Sequence, residues 1–343
     1  MAGARRCGAG QRRRLARRTA APQRPLRRGL PGGELGAGMS APGTVVAVVG
    51  PTAAGKSALS IALAHALGGE VVNADSMQLY RGLDIGTAKL TVAEREGVPH
   101  HLLDLWEVTE PASVAEYQRL ARAAIDDILA RGRVPLLVGG SGLYVRAVLE
   151  RFEFPGTDPA LRERLEGELA AVGPAPLYAR LRAADPVAAD GILPGNGRRI
   201  VRALEVIELT GRPFTAALPE PTPYYPAVQL GVDLDTARLD ERIALRVDRM
   251  WADGLVAETR ELVGHGLAQG RTASRALGYQ QVLRFLAGEL TETEAHDETI
   301  RATRRFVRRQ RSWFRRDPRV RWLDSADPAL IEAALGAARS AAP

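Results

Sequence analysis

Gly50-Pro-Thr-Ala-Ala-Gly-Lys-Ser57 is the stretch of sequence that decides the fold. The apolar run Val45–Val49 precedes it and is typical of a buried strand, and residues 58–67 follow with the pattern of a helix. This order is that of a phosphate-binding P-loop, whose backbone N–H groups and helix N-terminus attract anions. Lys56 is expected to reach the outer phosphates of a di- or triphosphate, and the Ser57 hydroxyl to bind Mg²⁺. The residues predicted to hold phosphate are Gly50, Pro51, Thr52, Ala53, Ala54, Gly55, Lys56 and Ser57.

Apolar segments and helical periods alternate along the rest of the chain. Residues 70–74 and 135–138 predict strands, and the period over 114–131 predicts a helix between them. This alternation predicts an α/β fold, a P-loop NTPase-like parallel sheet wrapped by helices, with an α-helical insertion domain. One long amphipathic helix is predicted over 239–263 and a basic helix over 297–316. The predicted domains are a first core part at 44–154, the insertion at 155–195, a second core part at 196–325 that includes the basic helix, and a C-terminal tail at 326–343.

Lysine is rare in this chain. Of the 47 Lys and Arg residues, only Lys56 and Lys89 are lysines. An ammonium is a compact point charge and a guanidinium is a planar fork, so a retained lysine marks a position where arginine does not serve. Lys56 is singled out by its motif and by this rarity. Lys89 is singled out by rarity alone, and an exposed lysine without a special role is the alternative interpretation.

The net charge of +7 is unevenly distributed. Residues 1–39 hold ten Arg and one acid, and the rest of the chain has 37 basic and 39 acidic residues. Any nucleic-acid surface of the body must therefore be a local patch. The segment 1–43, rich in Arg, Gly and Pro, is predicted to be disordered. We favour a translated stretch upstream of a start at Met39; a basic arm for nucleic acid and an organelle transit peptide are the other interpretations.

Cysteine and histidine usage argues against a metal cluster. Cys7 is the only cysteine, so the body of the chain offers no disulfide, zinc cluster or cysteine nucleophile. The adjacent His100 and His101 have no third ligand near them in sequence and are expected to pack structurally. No apolar run reaches the length of a membrane span. A reducing, cytoplasmic location without a membrane partner is expected.

Two polar residues follow predicted strands at the edge where the P-loop lies. Asp75 stands where many P-loop kinases place a carboxylate that accepts a proton from the attacking group; a helix N-cap is the alternative. Ser141 offers a hydroxyl within Gly139-Gly-Ser-Gly142, where glycines let the backbone approach a ligand; a plain strand-to-helix turn is the alternative. Glycine also occupies the place of a Walker B carboxylate, which argues against an ATP-hydrolysing motor.

Arginine clusters indicate phosphate binding further along the chain. Arg199 and Arg202 would share one helix face with the spacing of a diphosphate clamp, or of a solvated surface. The segment 297–316 holds eight Arg and two acids, and its aromatic-flanked stripe suits an RNA backbone, although a solvated face is the alternative. The stripe consists of Arg301, Arg304, Arg305, Arg308, Arg311 and Arg315, and the opposite face of Ile300, Thr303, Val307, Gln310 and Phe314.

Several segments taken together resemble the tRNA dimethylallyltransferases, also called tRNA isopentenyltransferases. The most specific is residues 73–89, Asn-Ala-Asp-Ser-Met-Gln-Leu-Tyr-Arg-Gly-Leu-Asp-Ile-Gly-Thr-Ala-Lys. The resemblance runs in order from about residue 45 to 325. Its other segments are 99–104, 138–144, 196–206, 275–280 and 303–314.

This resemblance implies transfer of a dimethylallyl group from its diphosphate to N6 of the adenine 3′-adjacent to the anticodon, in tRNAs that read codons beginning with U. It implies that Asp75 accepts the proton of the amine, that Ser141 bonds the base or the phosphate, and that Arg199 adds a second cation on the leaving group beside Lys56 and Mg²⁺ at Ser57. The target base must leave its stack to reach the P-loop. It also implies a monomer. The residues implied to contact the tRNA anticodon stem-loop are Asp75, Ser76, Met77, Gln78, Ser141, Arg162, Arg198, Arg199, Ile200, Val201, Arg202, Arg275, Gly278, Tyr279, Arg304, Arg308 and Gln310.

Three other functions stay open at the level of sequence. A small-molecule kinase shares the P-loop and Asp75 but has no use for the basic helix. An adenylate isopentenyltransferase prenylates a free nucleotide and equally needs no RNA surface. A nucleotide-dependent RNA-binding switch uses the P-loop and the basic helix but leaves Asp75 unexplained.

Overall fold

A six-stranded, fully parallel sheet forms the centre of the protein in the computed structural model, which describes residues 43–151, 154–214 and 222–340. The strand order is β3-β2-β4-β1-β5-β6, so the strand before the P-loop lies between two others. This confirms the predicted α/β fold. The strands are β1 Val45–Val49, β2 Gly69–Asn73, β3 His100–His101, β4 Val134–Gly139, β5 Ala227–Asp233 and β6 Val320–Asp324.

Helices cover both faces of the sheet. Val46 and Val48 of β1 point into one apolar cluster, and Val45, Ala47 and Val49 point into the other, because successive side chains of a strand alternate. Both faces are buried, which is why this strand is a continuous apolar run. The helices are α1 Lys56–Leu67, α2 Val114–Ala130, α3 Gly142–Leu149, α4 Pro159–Val172, α5 Pro174–Ala184, α6 Pro186–Asp190, α7 Gly197–Thr210, α8 Thr236–Ala252, α9 Leu255–Gly264, α10 Tyr279–Leu286, α11 Glu292–Phe314 and α12 Leu330–Arg339. Over the described residues, no helix is long and apolar enough to cross a membrane.

The prediction of one long helix over 239–263 is wrong, because the structure has two helices there. Gly254 separates α8 from α9 and has a φ of 101°, a left-handed conformation that glycine adopts without steric cost. The amphipathic period continues across this break, so the sequence pattern alone does not reveal it.

Helix α11 begins five residues before the predicted Asp297. Thr291 caps it, with its hydroxyl accepting from Glu294 N while the Glu294 carboxylate accepts from Thr291 N. The helix face that lacks arginine is the buried one. Ile300 is partly buried, and the other four members, Thr303, Val307, Gln310 and Phe314, are buried.

The segment predicted as a C-terminal tail is instead part of the core. Helix α12 buries Ala334 and Ala338 in the cluster that also covers α1, and the sixth strand, β6, pairs with β5 just before it. Both elements are short and rich in charge or alanine, so neither stands out in the sequence. The predicted disordered segment 1–43 lies outside the described residues except for Gly43.

Helices α4 to α7 share a small apolar core of their own. Leu165, Leu177 and Leu181 are fully buried there and pack with Ile200 and Leu204 of α7. Helix α7 therefore packs with the insertion predicted at 155–195, although the sequence placed it in the second part of the core. The reason is its amphipathic face, whose apolar residues complete the core of the three preceding helices.

The segment between β2 and α2 has little regular structure and depends on Lys89. The Lys89 side chain is only 3% exposed, and its ammonium donates to Asp84 Oδ1 at 2.6 Å, Asp104 Oδ1 at 2.6 Å and the Tyr80 carbonyl at 2.9 Å. Three protons thus meet three acceptors from three parts of the segment. This corrects the interpretation of Lys89 as an exposed lysine. It also explains why lysine is retained here, since the planar guanidinium of arginine is too large for an enclosed site that suits a compact ammonium.

We expect Lys89→Met to lower the free energy of unfolding by about 2 kcal/mol, because it removes a buried cation from partly exposed carboxylates that water can then solvate. Urea denaturation measures the change. The matched control is Arg81→Met in the same segment, whose ion pair with Glu107 is more than half exposed on both sides. This control should stay within about 0.5 kcal/mol of wild type. Equal stabilities of the two variants would contradict the structural role of Lys89.

Candidate active site

The P-loop lies at the carboxyl edge of the sheet, between β1 and α1. Gly50 has a φ of 131°, and a Cβ on it would come within 2.2 Å of the Val232 carbonyl of β5. Ala53 has a φ of 65° and Gly55 one of 101°, so the loop curls back before the helix starts at Lys56. These turns produce the concave backbone on which phosphate binding depends.

Lys56 points back into this loop. Its ammonium donates to the Pro51 carbonyl at 2.7 Å. Burial lowers the pKa of Lys56 to about 8, with Asp75 acting in the opposite direction and Arg246 adding to the decrease. An anion placed in the loop would stabilise the charged form of this lysine.

Arg246 of α8 is a second cation at the P-loop, and it was not among the residues predicted from sequence. Its Nη1 donates to Thr52 Oγ1 at 3.2 Å. Burial lowers the pKa of Arg246, and neighbouring Arg249 and Arg242 lower it further. No carboxylate in the described ranges forms a salt bridge with it. The signal available was the spacing of Arg242, Arg246 and Arg249 along one face of an amphipathic helix.

Ser57 meets the requirements of a magnesium ligand. It is exposed on the first turn of α1. Among the described residues, no group of three or more His, Cys, Asp or Glu side chains is placed to hold a metal ion. Mg²⁺ commonly takes few protein ligands and completes its octahedron with substrate phosphates and water. One hydroxyl beside a phosphate-binding loop fits that pattern.

Asp75 follows β2 at the same edge of the sheet. Its Oδ1 accepts from Met77 N at 2.9 Å, and its own N donates to Asn73 Oδ1 at 2.9 Å. Asn73 is held in turn by the Leu102 carbonyl. These bonds fix the carboxylate and include the local capping contact that was the alternative interpretation. Within the described part of the chain nothing bonds its other oxygen, Oδ2, which stays available to a ligand.

Ser141 and the glycines around it serve close packing. The Ser141 hydroxyl accepts from Ser76 N at 3.2 Å and donates to Ser76 Oγ at 3.3 Å. A Cβ on Gly139 would lie 2.3 Å from the Ala74 backbone, and one on Gly142 would lie 2.0 Å from Trp313 Nε1. These glycines thus allow close packing of other parts of the protein, whereas the motif predicted close approach of a ligand. They also leave no space for a Walker B carboxylate.

Among the residues implied to contact tRNA, Ser76, Met77 and Gln78 lie beside Asp75, as expected from the sequence. Gln78 donates to the Thr87 carbonyl at 3.1 Å. Tyr279 is fully buried; its hydroxyl donates to Glu258 and accepts from Gly86 N at 3.1 Å. The Tyr279 side chain is therefore bonded within the protein and Gly278 is buried, whereas Arg275 is exposed. The contacts of these three residues with tRNA stay predictions.

Helix α7 separates into buried and exposed residues. Ile200 and Val201 are 0% and 2% exposed and pack in the core of the insertion, so their side chains do not form an RNA surface. Arg162 and Arg202 both pair with the buried Glu205. This ion-pair network corrects the idea of a free Arg199–Arg202 clamp, since Arg202 also donates to the Pro155 and Gly156 carbonyls.

Arg198 and Arg199 lie on the exposed side of α7. Their predicted contacts with tRNA, and that of Arg199 with the leaving group, stay predictions. The arginine that contacts the P-loop is Arg246.

The basic stripe of α11 is narrower than the sequence indicated. Arg301 and Arg305 pair with Glu298, and Arg311 and Arg315 pair with Asp233. Arg304 lies against Asp240, whose carbonyl is 3.3 Å from Arg304 Nη2. Three arginines have no carboxylate partner among the described residues and, with Ser312 and Trp313, line an open surface groove. They are Arg308, Arg309 and Arg316.

Comparisons with known proteins agree with this geometry. The sequence profile described as IPP transferase matches residues 78–317. The chain is 86% identical over 302 residues to a tRNA dimethylallyltransferase of Salinispora arenicola, covering 88% of each chain. It is 67% identical over 297 residues to one from Thermobifida fusca, covering 85% of this chain and 93% of the relative.

Two solved structures extend the likeness. The full-length tRNA isopentenylpyrophosphate transferase of Bacillus halodurans is 40% identical with a TM-score of 0.65, over 87% of this chain and 97% of that one. A eukaryotic dimethylallyltransferase described as acting on tRNA is 27% identical with a TM-score of 0.73, over 85% of this chain and 76% of that one. The profile covers well over half of the chain, and each of these relatives is matched over at least 76% of its own length. This chain therefore belongs to the IPP transferase family, whose members here are tRNA dimethylallyltransferases.

Proposed function

We propose that this protein transfers a dimethylallyl group from dimethylallyl diphosphate to N6 of an adenine in the anticodon stem-loop of tRNA, 3′-adjacent to the anticodon. The observation that carries the proposal is the meeting of three charged groups at one edge of the sheet. Lys56 donates to the Pro51 carbonyl and Arg246 to the Thr52 hydroxyl of the P-loop, and Asp75 follows β2 at the same edge of the sheet. Two cations suit a leaving diphosphate, and one carboxylate suits an amine that must lose a proton.

The reaction follows from these positions. The bond between the first dimethylallyl carbon and the diphosphate oxygen breaks, a bond from that carbon to N6 forms, and the N6 proton passes to the Asp75 carboxylate. Lys56, Arg246 and the loop N–H groups hold the charge that develops on the leaving diphosphate. Mg²⁺ would be held by the Ser57 hydroxyl together with diphosphate oxygens, where it neutralises part of the same charge.

The surface of α11 is the basis for proposing RNA as the acceptor of the dimethylallyl group. The groove of Arg308, Arg309 and Arg316 beside Trp313 offers cations and an aromatic edge to a nucleic-acid backbone. A free mononucleotide would make no use of this surface. The preference for tRNAs that read codons beginning with U, a monomeric state and a cytoplasmic location are part of the same proposal.

We expect labelled dimethylallyl diphosphate with Mg²⁺ to transfer label to an anticodon stem-loop carrying three consecutive adenines, and to leave free AMP unlabelled. Asp75→Asn keeps the volume and the acceptor for Met77 N but removes the base, so its kcat should fall by about 10²- to 10⁴-fold. Stem-loop affinity should change less than about twofold. A stem-loop whose target base lacks the exocyclic amine is the substrate control. Label in AMP alone would indicate a mononucleotide prenyltransferase, and phosphate transfer from ATP would indicate a kinase.

We expect the affinity for dimethylallyl diphosphate to fall by about tenfold or more between pH 7 and pH 9.5. Lys56 has a pKa of about 8, so its ammonium is lost as pH rises through that value, whereas a terminal phosphate ionises near pH 6 and keeps its charge. Calorimetric titration measures this. In Lys56→Arg the cation persists above pH 12, so binding should stay nearly constant to pH 9.5. Binding should be weaker than in wild type at pH 7, because a planar guanidinium replaces the compact ammonium. An equal fall in both proteins would assign the titration to another group.

A further inference from the structure

Gln310 is a buried amide of α11 that contacts the P-loop directly. It is 5% exposed. Its Oε1 accepts from Thr52 N at 2.9 Å, and its Nε2 donates to the Gly140 carbonyl at 3.0 Å. One side chain therefore joins the phosphate-binding loop to the end of β4. Thr52 also receives the Arg246 contact at its hydroxyl, so the same loop residue is held from two helices.

The packing leaves this bridge little freedom. A Cβ on Gly140 would come within 2.2 Å of Gln310 Nε2 and 3.1 Å of the Gly50 carbonyl. A displacement of the amide must therefore move either Gly140 or the loop. The next residue, Arg311, forms an ion pair with Asp233, with both side chains only 12% exposed. This pair anchors α11 at the end of β5, next to the Val232 carbonyl that Gly50 packs against.

The position of Gln310 separates it from the RNA face of its own helix. Arg308, Arg309 and Arg316 are exposed around the surface groove, whereas Gln310 faces inward with the buried Thr303 and Val307. Both polar ends of the amide already have partners in the protein. Because the side chain is only 5% exposed, RNA could not reach it without a displacement of α11 or of the P-loop.

We propose that Gln310 is a positioning residue for the diphosphate, acting through the P-loop, and that it is not an RNA contact. The inference rests on the proposed function for the identity of the diphosphate. By bonding Thr52 N and the Gly140 carbonyl, Gln310 holds the loop in its concave form before a ligand arrives. Its loss leaves an unpaired buried N–H and C=O and lets the loop relax, which weakens diphosphate binding.

The test measures two affinities separately, each without the other ligand. Inorganic pyrophosphate with Mg²⁺ probes the loop, and the anticodon stem-loop probes the RNA surface; both are titrated by calorimetry against the full chain. Gln310→Leu removes both bonds at similar volume. We expect its pyrophosphate affinity and its KM for dimethylallyl diphosphate to worsen about tenfold, with stem-loop affinity within twofold of wild type. Arg308→Ala, two residues away on the exposed face, should show the opposite pattern.

Gln310→Glu is a second variant for the case that leucine disturbs folding. It keeps an acceptor for Thr52 N, loses the donor for the Gly140 carbonyl and adds negative charge near the diphosphate, so pyrophosphate binding should weaken at least as much. Wild-type pyrophosphate affinity in both Gln310 variants, or a loss confined to the stem-loop, would overturn the inference and leave the proposed function standing. A wild-type protein that binds no pyrophosphate would overturn the proposed function and this inference together.

Discussion

The close approach of backbone segments at the carboxyl edge of the sheet is the constraint on which this structure depends. Gly50 lies against the Val232 carbonyl, Gly139 against Ala74 and Gly140 against Gln310, with no space for a Cβ at any of them. Side chains are excluded at these three positions, so backbone groups line this part of the edge. A Walker B carboxylate in place of Gly139 or Gly140 would have no space there.

Charge balance is a second feature of the site. Lys56 and Arg246 have no salt-bridge partner among the described residues, and burial lowers the pKa of both. An arriving diphosphate therefore supplies the missing counter-charge in a poorly solvated place, where such interactions are strong. Lys89 shows the opposite arrangement: its buried ammonium is fully matched by two carboxylates and a carbonyl. The two retained lysines are thus one binding group and one structural group.

Local periodicity accounts for what could be predicted from the sequence. The P-loop, the strand ends near Asp75 and Ser141, and the buried face of α11 all follow from patterns within about 20 residues. The contact of Arg246 with Thr52 joins residues 194 positions apart, and that of Gln310 with Thr52 joins residues 258 apart. No local pattern encodes contacts between residues so far apart in the sequence. The family resemblance implied that Gln310 and Tyr279 contact tRNA, and it does not specify that tertiary packing buries both side chains.

Ion pairing within the protein decides which of the many arginines remain for RNA. In the insertion and α7, Arg162 and Arg202 form ion pairs with Glu205. Arg164 pairs with Glu208, and Arg180 pairs with Glu168. Four more arginines, on α11 and at its C-terminal end, form ion pairs with Glu298 and Asp233. Arginine content therefore overstates the charge available to RNA, and one group of arginines without a carboxylate partner among the described residues lines the groove beside Trp313. Because α11 carries this groove on its exposed side and Gln310 on its buried side, a single helix contacts the P-loop and also carries the surface proposed to bind RNA, which fixes the two relative to each other.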